Sequence, residues 1–426
     1  MRRRHLIQSA AAGSAVACLG WPAQASTGPS RAPKVVIIGG GFGGATAAKY
    51  LRLWSAQRLD VTLIEPLPSM VSCPMSNLVV GGLLQMSDIT LSYDTLRERH
   101  GVRIIHDLVT GIRTEQRQVV LSKGDALAYD KLIVSPGVDL MTDALPGWSK
   151  PGAQESITHA WKAGPQTLVL RKQIEAMPDG GVFAISIPLA PYRCPPGPYE
   201  RACLVAQYFQ QAKPKSKVLI LDENEDVTSK APLFKKAWAQ LYRGMIEYRP
   251  NQKVVDLDAS TRTLKFEFDD DLQADVLNVL PPMRAGAIAV KSGLATANRR
   301  WCEVDFLTFE SKVAPHVHVL GDAIQHAPIM PKSGHMANQH AKTCAAAIVA
   351  MLLGKEVNAH PIYNNTCYSF VSDKQAVHVA SVHRYDERDK TMLPVKGAGG
   401  LSAQASELEA GYARAWAHNI WADMLG

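Results

Sequence analysis

The chain has 426 residues, 46% of them hydrophobic and 20% charged, enough apolar material to bury two or three cores and too little charge for a disordered protein. Its formal net charge is +7, part of it carried by Arg2, Arg3 and Arg4, so the remainder is only mildly basic and gives no ground for nucleic-acid binding.

The first 25 residues have a basic start, an apolar stretch from Leu6 to Leu19 and small residues at Ala23 and Ala25. They read as an export signal, and the arginines before His5, Leu6 and Ile7 resemble a twin-arginine signal, which implies a periplasmic protein. The apolar stretch is shorter than the roughly 20 residues a membrane span needs, and no later segment reaches that length, so no stable membrane insertion is expected.

"KVVIIGGGFGGATAAKYLRL" follows, a short β-branched strand leading through Gly39, Gly41 and Gly44 into a helix-forming run. The first glycine allows a tight turn, the second lets backbone approach a pyrophosphate, and the third lets the helix pack on the strand. A second strand, "DVTLIE", ends at Glu65, where a carboxylate can accept hydrogen bonds from ribose hydroxyls. Strand, loop, helix, strand and acid in register indicate a dinucleotide site. "YDKLIVSPG" closes a further strand at Gly137, and "HVHVLGDAIQ" ends a distant one at Gly321 and Asp322; both are similar to segments of two-dinucleotide flavoproteins that hold FAD. The FAD domain is therefore expected in two parts, 34–141 and 281–360.

Between them, 142–280 carries "GVFAISIP", a helical stretch and "KVLILDEN", a second Rossmann-like domain. No glycine loop follows its first strand. "LAPYRCPPGPYE" stands there, and its prolines remove backbone donors and stiffen the turn, so a nicotinamide site is not expected. Residues 361–426 form a smaller carboxy-terminal α+β domain, in whose last helix Tyr412, Trp416 and Trp421 suggest an apolar, core-facing stripe.

Of seven cysteines, Cys18 lies in the export signal, and the other six allow fifteen full pairings. Cys73, Cys194 and Cys367 lie in proline- or asparagine-marked loops, whereas Cys203, Cys302 and Cys344 sit in apolar surroundings that suit inert buried thiols. His335 and His340 are five residues apart, which is not the spacing of a helical metal pair, and no metal site is expected. There is no C-x-x-C-H, the usual attachment site of a c-type haem.

The segments "VVIIGGGFGG", "CPMSN", "YRCPPGPYER", "PPMRAG", "VLGDA", "MPKSGHMANQHAK" and "NTCYSF" together resemble the flavoprotein subunit of flavocytochrome c sulfide dehydrogenase, a relative of the sulfide:quinone oxidoreductases. The resemblance implies FAD bonded through its 8α carbon to Cys73, and a redox disulfide between Cys194 and Cys367 beside the flavin. It implies sulfide as substrate and a separate c-type cytochrome subunit that carries the haem. Hydrosulfide is a strong nucleophile and a disulfide sulfur is the matching electrophile. The same two cysteines would also suit a structural staple. Glu200 matches a glutamate proposed as a base in that family, and equally suits a first helical turn, where acids complement the dipole. Lys332, just before a helix, is expected to assist that helix end at the flavin's N1 and O2. The competing activities are sulfide:quinone oxidoreduction and a flavin-binding partner without turnover.

Overall fold

The computed structural model describes residues 31–426; the export signal expected over 1–25 lies outside them. From Lys34 the chain builds a parallel sheet. Strand β1 (Lys34–Ile38) turns through the glycine loop into helix α1 (Phe42–Trp54) and returns as β2 (Asp60–Ile64), with Val35 beside Val61 and Ile37 beside Leu63. The turn requires glycine: Gly39 has φ +96°, and a Cβ there would lie 2.3 Å from the Ser135 carbonyl oxygen. At Gly44 a Cβ would come within 1.8 Å of the Gly39 carbonyl oxygen, so only glycine lets α1 pack flush on its own loop. A short helix α2 (Ser76–Val80) follows, then β3 (Arg103–Ile105) beside β2 and β4 (Lys131–Val134) beside β1.

The second parallel sheet begins with β5 (Val182–Ile187), passes through α3 (Gly197–Ala212) to β6 (Lys217–Asp222), and continues with α4 (Ala231–Leu241), β7 (Ile246–Arg249) and β8 (Val276–Val279). Its order is β7-β6-β5-β8. Strands β1, β2, β5 and β6 are buried along nearly their whole length, as expected of strands covered on both faces. The chain then returns to the first sheet with β9 (Val317–Val319), which pairs with β4 and completes the order β9-β4-β1-β2-β3. A dinucleotide fold made from separated pieces of chain is thus what forms.

Helix α5 (Gly334–Leu352) is capped by Ser333, whose hydroxyl accepts from the Met336 N–H. Three antiparallel strands, β10 (Ile362–Phe370), β11 (Ala376–Asp386) and β12 (Thr391–Leu401), and helix α6 (Glu407–Leu425) end the chain. A small apolar cluster of Leu78, Leu204, Phe370, Ala410 and Ala413 joins α2, α3, β10 and α6. These four elements frame the site. The apolar stripe expected on α6 is corrected in one position: Trp421 is buried and its indole N–H donates to Ser72, Trp416 is half-buried, but Tyr412 is half exposed, because it sits on the opposite face. No helix among the described residues is long and apolar enough to cross a membrane.

Candidate active site

The loops at the carboxyl ends of the first sheet's strands open onto a cavity of about 380 Å³, within the range of cofactor and ligand sites. Gly39, Gly41, Glu65, Gly137, Gly321 and Asp322 line it, as do Cys73, Cys194, Cys367 and Glu200. Sequence motifs as far apart as Gly39 and Cys367 are thereby brought to one place.

At the glycine loop, Gly41 starts α1 with no side-chain cap, and its open side has nothing within 4 Å. Free backbone N–H groups at a helix start make a phosphate cradle. Glu65 is braced by N–H donors from Gly40 at 2.8 Å and Leu67 at 3.0 Å. Asp322 is half-buried, and desolvation pushes its carboxyl up while Arg193 and Lys332 pull it down. Lys332 itself differs from expectation. Its ammonium turns away from the cavity, donating to the carbonyl oxygens of Asp322 at 2.9 Å and Ile324 at 2.6 Å and lying 3.6 Å from the centre of the Trp301 ring. Its physical contribution is to lock the Gly321–Asp322 turn, and burial draws its pKa down to about 7.

The cysteines come from three elements. Cys73 lies three residues before the first residue of α2, whose preceding residue Met75 is held at φ +75°, and its thiol lies 3.9 Å from the Trp161 carbonyl oxygen. Cys194 has φ +58°, an uncommon conformation for a residue with a Cβ, and its N–H donates to the Lys332 carbonyl oxygen at 2.8 Å. Cys367 lies on β10 with its sulfur 3.4 Å from the Asn365 amide nitrogen. All three are free thiols here. Burial pushes the Cys194 thiol up to about 12, and nearby Cys367 and Glu200 add to the shift. Cys203, Cys302 and Cys344 are fully buried away from this cavity; Cys203 accepts from the Trp238 indole.

Glu200 stands in the first turn of α3, yet it is more than a dipole partner. One oxygen accepts from the Phe370 N–H at 2.8 Å and the other from Asn77 at 2.7 Å, and burial raises its pKa against the pull of those donors. Asn77 also accepts from the buried guanidinium of Arg201, which reaches Asn278 at 2.8 Å and the carbonyl oxygens of His159 and Ala160. Lys230, in the αL conformation at the start of α4, is buried and donates to the Cys367 carbonyl oxygen at 2.8 Å and to Ser369 at 2.7 Å. Sequence reasoning missed Asn77, Arg201 and Lys230. The first two stand inside the quoted "CPMSN" and "YRCPPGPYER"; nothing in the sequence around Lys230 marks it.

In the second sheet, Asp222 ends β6, much as Glu65 directly follows β2 in the first. Its carboxylate is already filled by Tyr199 at 2.7 Å, Tyr248 at 3.2 Å and the side chain and N–H of Asn224. No acceptor is left for a ribose, and Cys194 and its prolines occupy the place of a phosphate loop. Among the described residues no cluster of three or more His, Cys, Asp or Glu could hold a metal ion. The first sheet does fit FAD: an uncapped helix start, a braced carboxylate, and a thiol at the cavity wall where an attachment would be made.

Three family models match the chain. Residues 33–167 match the pyridine nucleotide-disulphide oxidoreductase model, 167–281 the central region of the sulfide dehydrogenase (flavocytochrome c) flavoprotein chain, and 359–425 the flavin-binding region of flavocytochrome c sulphide dehydrogenase. The solved structure of a sulfide:quinone oxidoreductase from Aquifex aeolicus has the same fold, with a TM-score of 0.77 over 92% of each chain at 18% identity. A mitochondrial sulfide:quinone oxidoreductase of Dictyostelium discoideum is 25% identical over 299 residues, 68% of this chain and just under two thirds (65%) of that relative. The flavoprotein chain of sulfide dehydrogenase (flavocytochrome c) from Chlorobaculum thiosulfatiphilum is 54% identical over 46 residues, which are 11% of this chain and 94% of that sequence. With two of its three model matches and this relative agreeing, the chain belongs to the family of flavocytochrome c sulfide dehydrogenase flavoprotein chains.

Proposed function

We propose that the protein oxidises sulfide to sulfur or polysulfide through a disulfide formed by Cys194 and Cys367, with FAD attached at Cys73, and passes the electrons to a c-type cytochrome subunit in the periplasm. One observation carries this reading: the cavity that begins at the glycine loop is also lined by these three cysteines and by Glu200. FAD, when bound there, supplies a two-electron acceptor able to release electrons singly.

The protein's own residues do the rest. The αL turn at Cys194, tied to Lys332, holds one sulfur against the cavity, and β10 holds the other. Hydrosulfide breaks the S–S bond by thiol–disulfide exchange, leaving a persulfide on one cysteine and a thiolate on the other. Glu200, its pKa raised by burial, is suited to take the proton of an incoming H₂S. A second sulfide or a growing polysulfide then carries the outer sulfur away and leaves both cysteines as thiolates; their re-pairing to the disulfide gives up two electrons, for which FAD, when bound, would be the acceptor.

The name of the Dictyostelium relative favours quinone as the alternative acceptor. Anaerobic stopped-flow mixing with sulfide separates the readings: flavin bleaching followed by haem reduction supports the cytochrome route, and bleaching reversed only by a quinone replaces it. Sulfide that leaves the flavin unbleached would reduce the chain to a flavin-binding partner. Cell fractionation tests the compartment.

A further inference from the structure

Lys230 is a buried cation without an ion pair: among the described residues no carboxylate lies within 4 Å of its ammonium. Its two acceptors, the Cys367 carbonyl oxygen and Ser369 Oγ, are both neutral. An ammonium taken out of water with only neutral partners is costly, and the cost falls when an anion forms nearby. The residue is held in place by the αL turn at the start of α4 and by the Phe234 ring, whose centre is 5.9 Å from Nζ.

The groups facing it come from three other elements. Cys367 is on β10, Cys194 and Glu200 are at the start of α3, and Glu409 is on α6. Two of these, Cys194 and Cys367, become charged only when their bond opens. Their surroundings are unequal. At the partly exposed Cys194, desolvation and the neighbouring Glu200 oppose a negative charge more than Arg193 and Lys230 favour it, whereas the Cys367 backbone itself binds the ammonium. An anion is therefore favoured on Cys367 and disfavoured on Cys194.

The geometry points to Lys230 as the residue that gives the opening of the Cys194–Cys367 disulfide its direction, holding the leaving thiolate at Cys367 so that sulfide adds to Cys194. This rests on the disulfide reading above. HS⁻ bonds to Cys194 Sγ, the S–S bond to Cys367 breaks, and its electron pair stays on Cys367 Sγ. The proton remains on the new terminal sulfur, and the single negative charge passes from sulfide to the thiolate. Sulfide is oxidised by two electrons and the disulfide reduced by two. Lys230 acts on the reacting atoms through the backbone of Cys367 and the field of its charge, which makes it a positioning residue. Burial lowers its pKa to about 8 while the cysteines pull it upward, so thiolate formation and retention of the ammonium reinforce each other.

The test uses the flavin-bound protein. A single turnover with substoichiometric sulfide, quenched with iodoacetamide and mapped by peptide mass, should place the extra sulfur on Cys194 and a plain alkyl group on Cys367. In the dithiothreitol-reduced protein, the pH midpoint for alkylation of Cys367 should rise by about one unit in Lys230→Met, with about a tenfold slower reaction with sulfide at pH 7. Lys230→Arg should restore most of both, because it keeps the charge. Should Lys230→Met fail to fold, Ser369→Ala leaves the ammonium one neutral acceptor and should move the midpoint in the same direction. A persulfide on Cys367, or an alkylation profile unmoved in the folded variant, overturns the assignment alone. A persulfide on neither cysteine sinks the disulfide mechanism together with it.

Discussion

The N–H of Cys194 donates to the carbonyl oxygen of Lys332 at 2.8 Å, so the turn that carries the candidate redox cysteine is pinned to the segment that starts α5. The loop that follows β5 is thereby joined to the segment between β9 and α5 through the backbone of the cysteine. Substitutions at the cysteines can be expected to alter chemistry more than architecture, since this pin is made by backbone.

Replacement of Cys194 or Cys367 by serine should leave a folded, flavin-containing protein that has lost rapid flavin reduction by sulfide. A staple would behave otherwise, losing about 2–5 kcal/mol of stability with normal turnover in whatever folds. Stopped-flow absorbance and urea denaturation on the same samples decide between them. Cys203→Ser and Cys344→Ser, whose thiols are fully buried away from the cavity, should change turnover little while lowering stability or yield.

If FAD is attached at Cys73, acid-precipitated protein should stay yellow and a Cys73-containing peptide should carry the added flavin mass. In Cys73→Ser the flavin should become extractable. A flavin still covalently held in that variant would assign the bond to another residue.

NADH and NADPH should reduce the flavin far more slowly than sulfide does. The carboxylate that a ribose would need, Asp222, is saturated by Tyr199, Tyr248 and Asn224. Anaerobic mixing with each reductant, followed at the flavin band, checks this; rapid bleaching by NADH would contradict it.

Arg201→Leu strips partners from Asn77, Asn278 and two carbonyl oxygens at once, all in buried surroundings. Each buried acceptor left unsatisfied costs about 1–3 kcal/mol, so a total loss of about 3–5 kcal/mol after local relaxation is expected in urea denaturation. Because Asn77 also holds Glu200, flavin reduction by sulfide should slow as well.

Glu200 binds its proton more tightly folded than unfolded, because burial raises its pKa. The folded protein then holds more protons than the unfolded chain above the ordinary carboxylate range. The stability this group contributes is complete below its unfolded pKa and is lost as pH rises through the folded one, at no more than about 1.4 kcal/mol per pH unit. Relative to Glu200→Gln, the wild type should lose stability on going from about pH 4 upward. Sulfide-driven flavin reduction should rise over the same window in the wild type and be slow and flat in the variant.

Much of this was legible because the chemistry is local. Gly39, Gly44 and Glu65 stand at fixed offsets along one strand, helix and strand, and Cys194 is marked by its prolines. Backbone constraints of that kind are written within a few residues. Lys230, by contrast, meets Cys367 and Ser369 across 137 and 139 positions of chain, and its αL conformation has no glycine or asparagine to announce it. Lys332 shows the opposite failure: the helix it precedes was readable, but the direction of its side chain depends on Trp301 and on two carbonyls of the Asp322 turn. Tyr412 and Trp421, nine positions apart, fall on different faces of α6 because the helix meets the core along only one of them.

Because β9 completes the first sheet and α6 supplies Trp416 to the cavity wall, the sheet cannot close on a growing chain before Val319, nor the pocket before Trp416, close to the end of the 426 residues. Pairings of such long sequence separation fold slowly. Cofactor capture is consequently a late step, and a chain that stops before α6 would expose a half-walled groove with three cysteines along it. Starving cells of flavin should for the same reason yield full-length protein that is slow to mature, with no accumulation of a stable amino-terminal fragment.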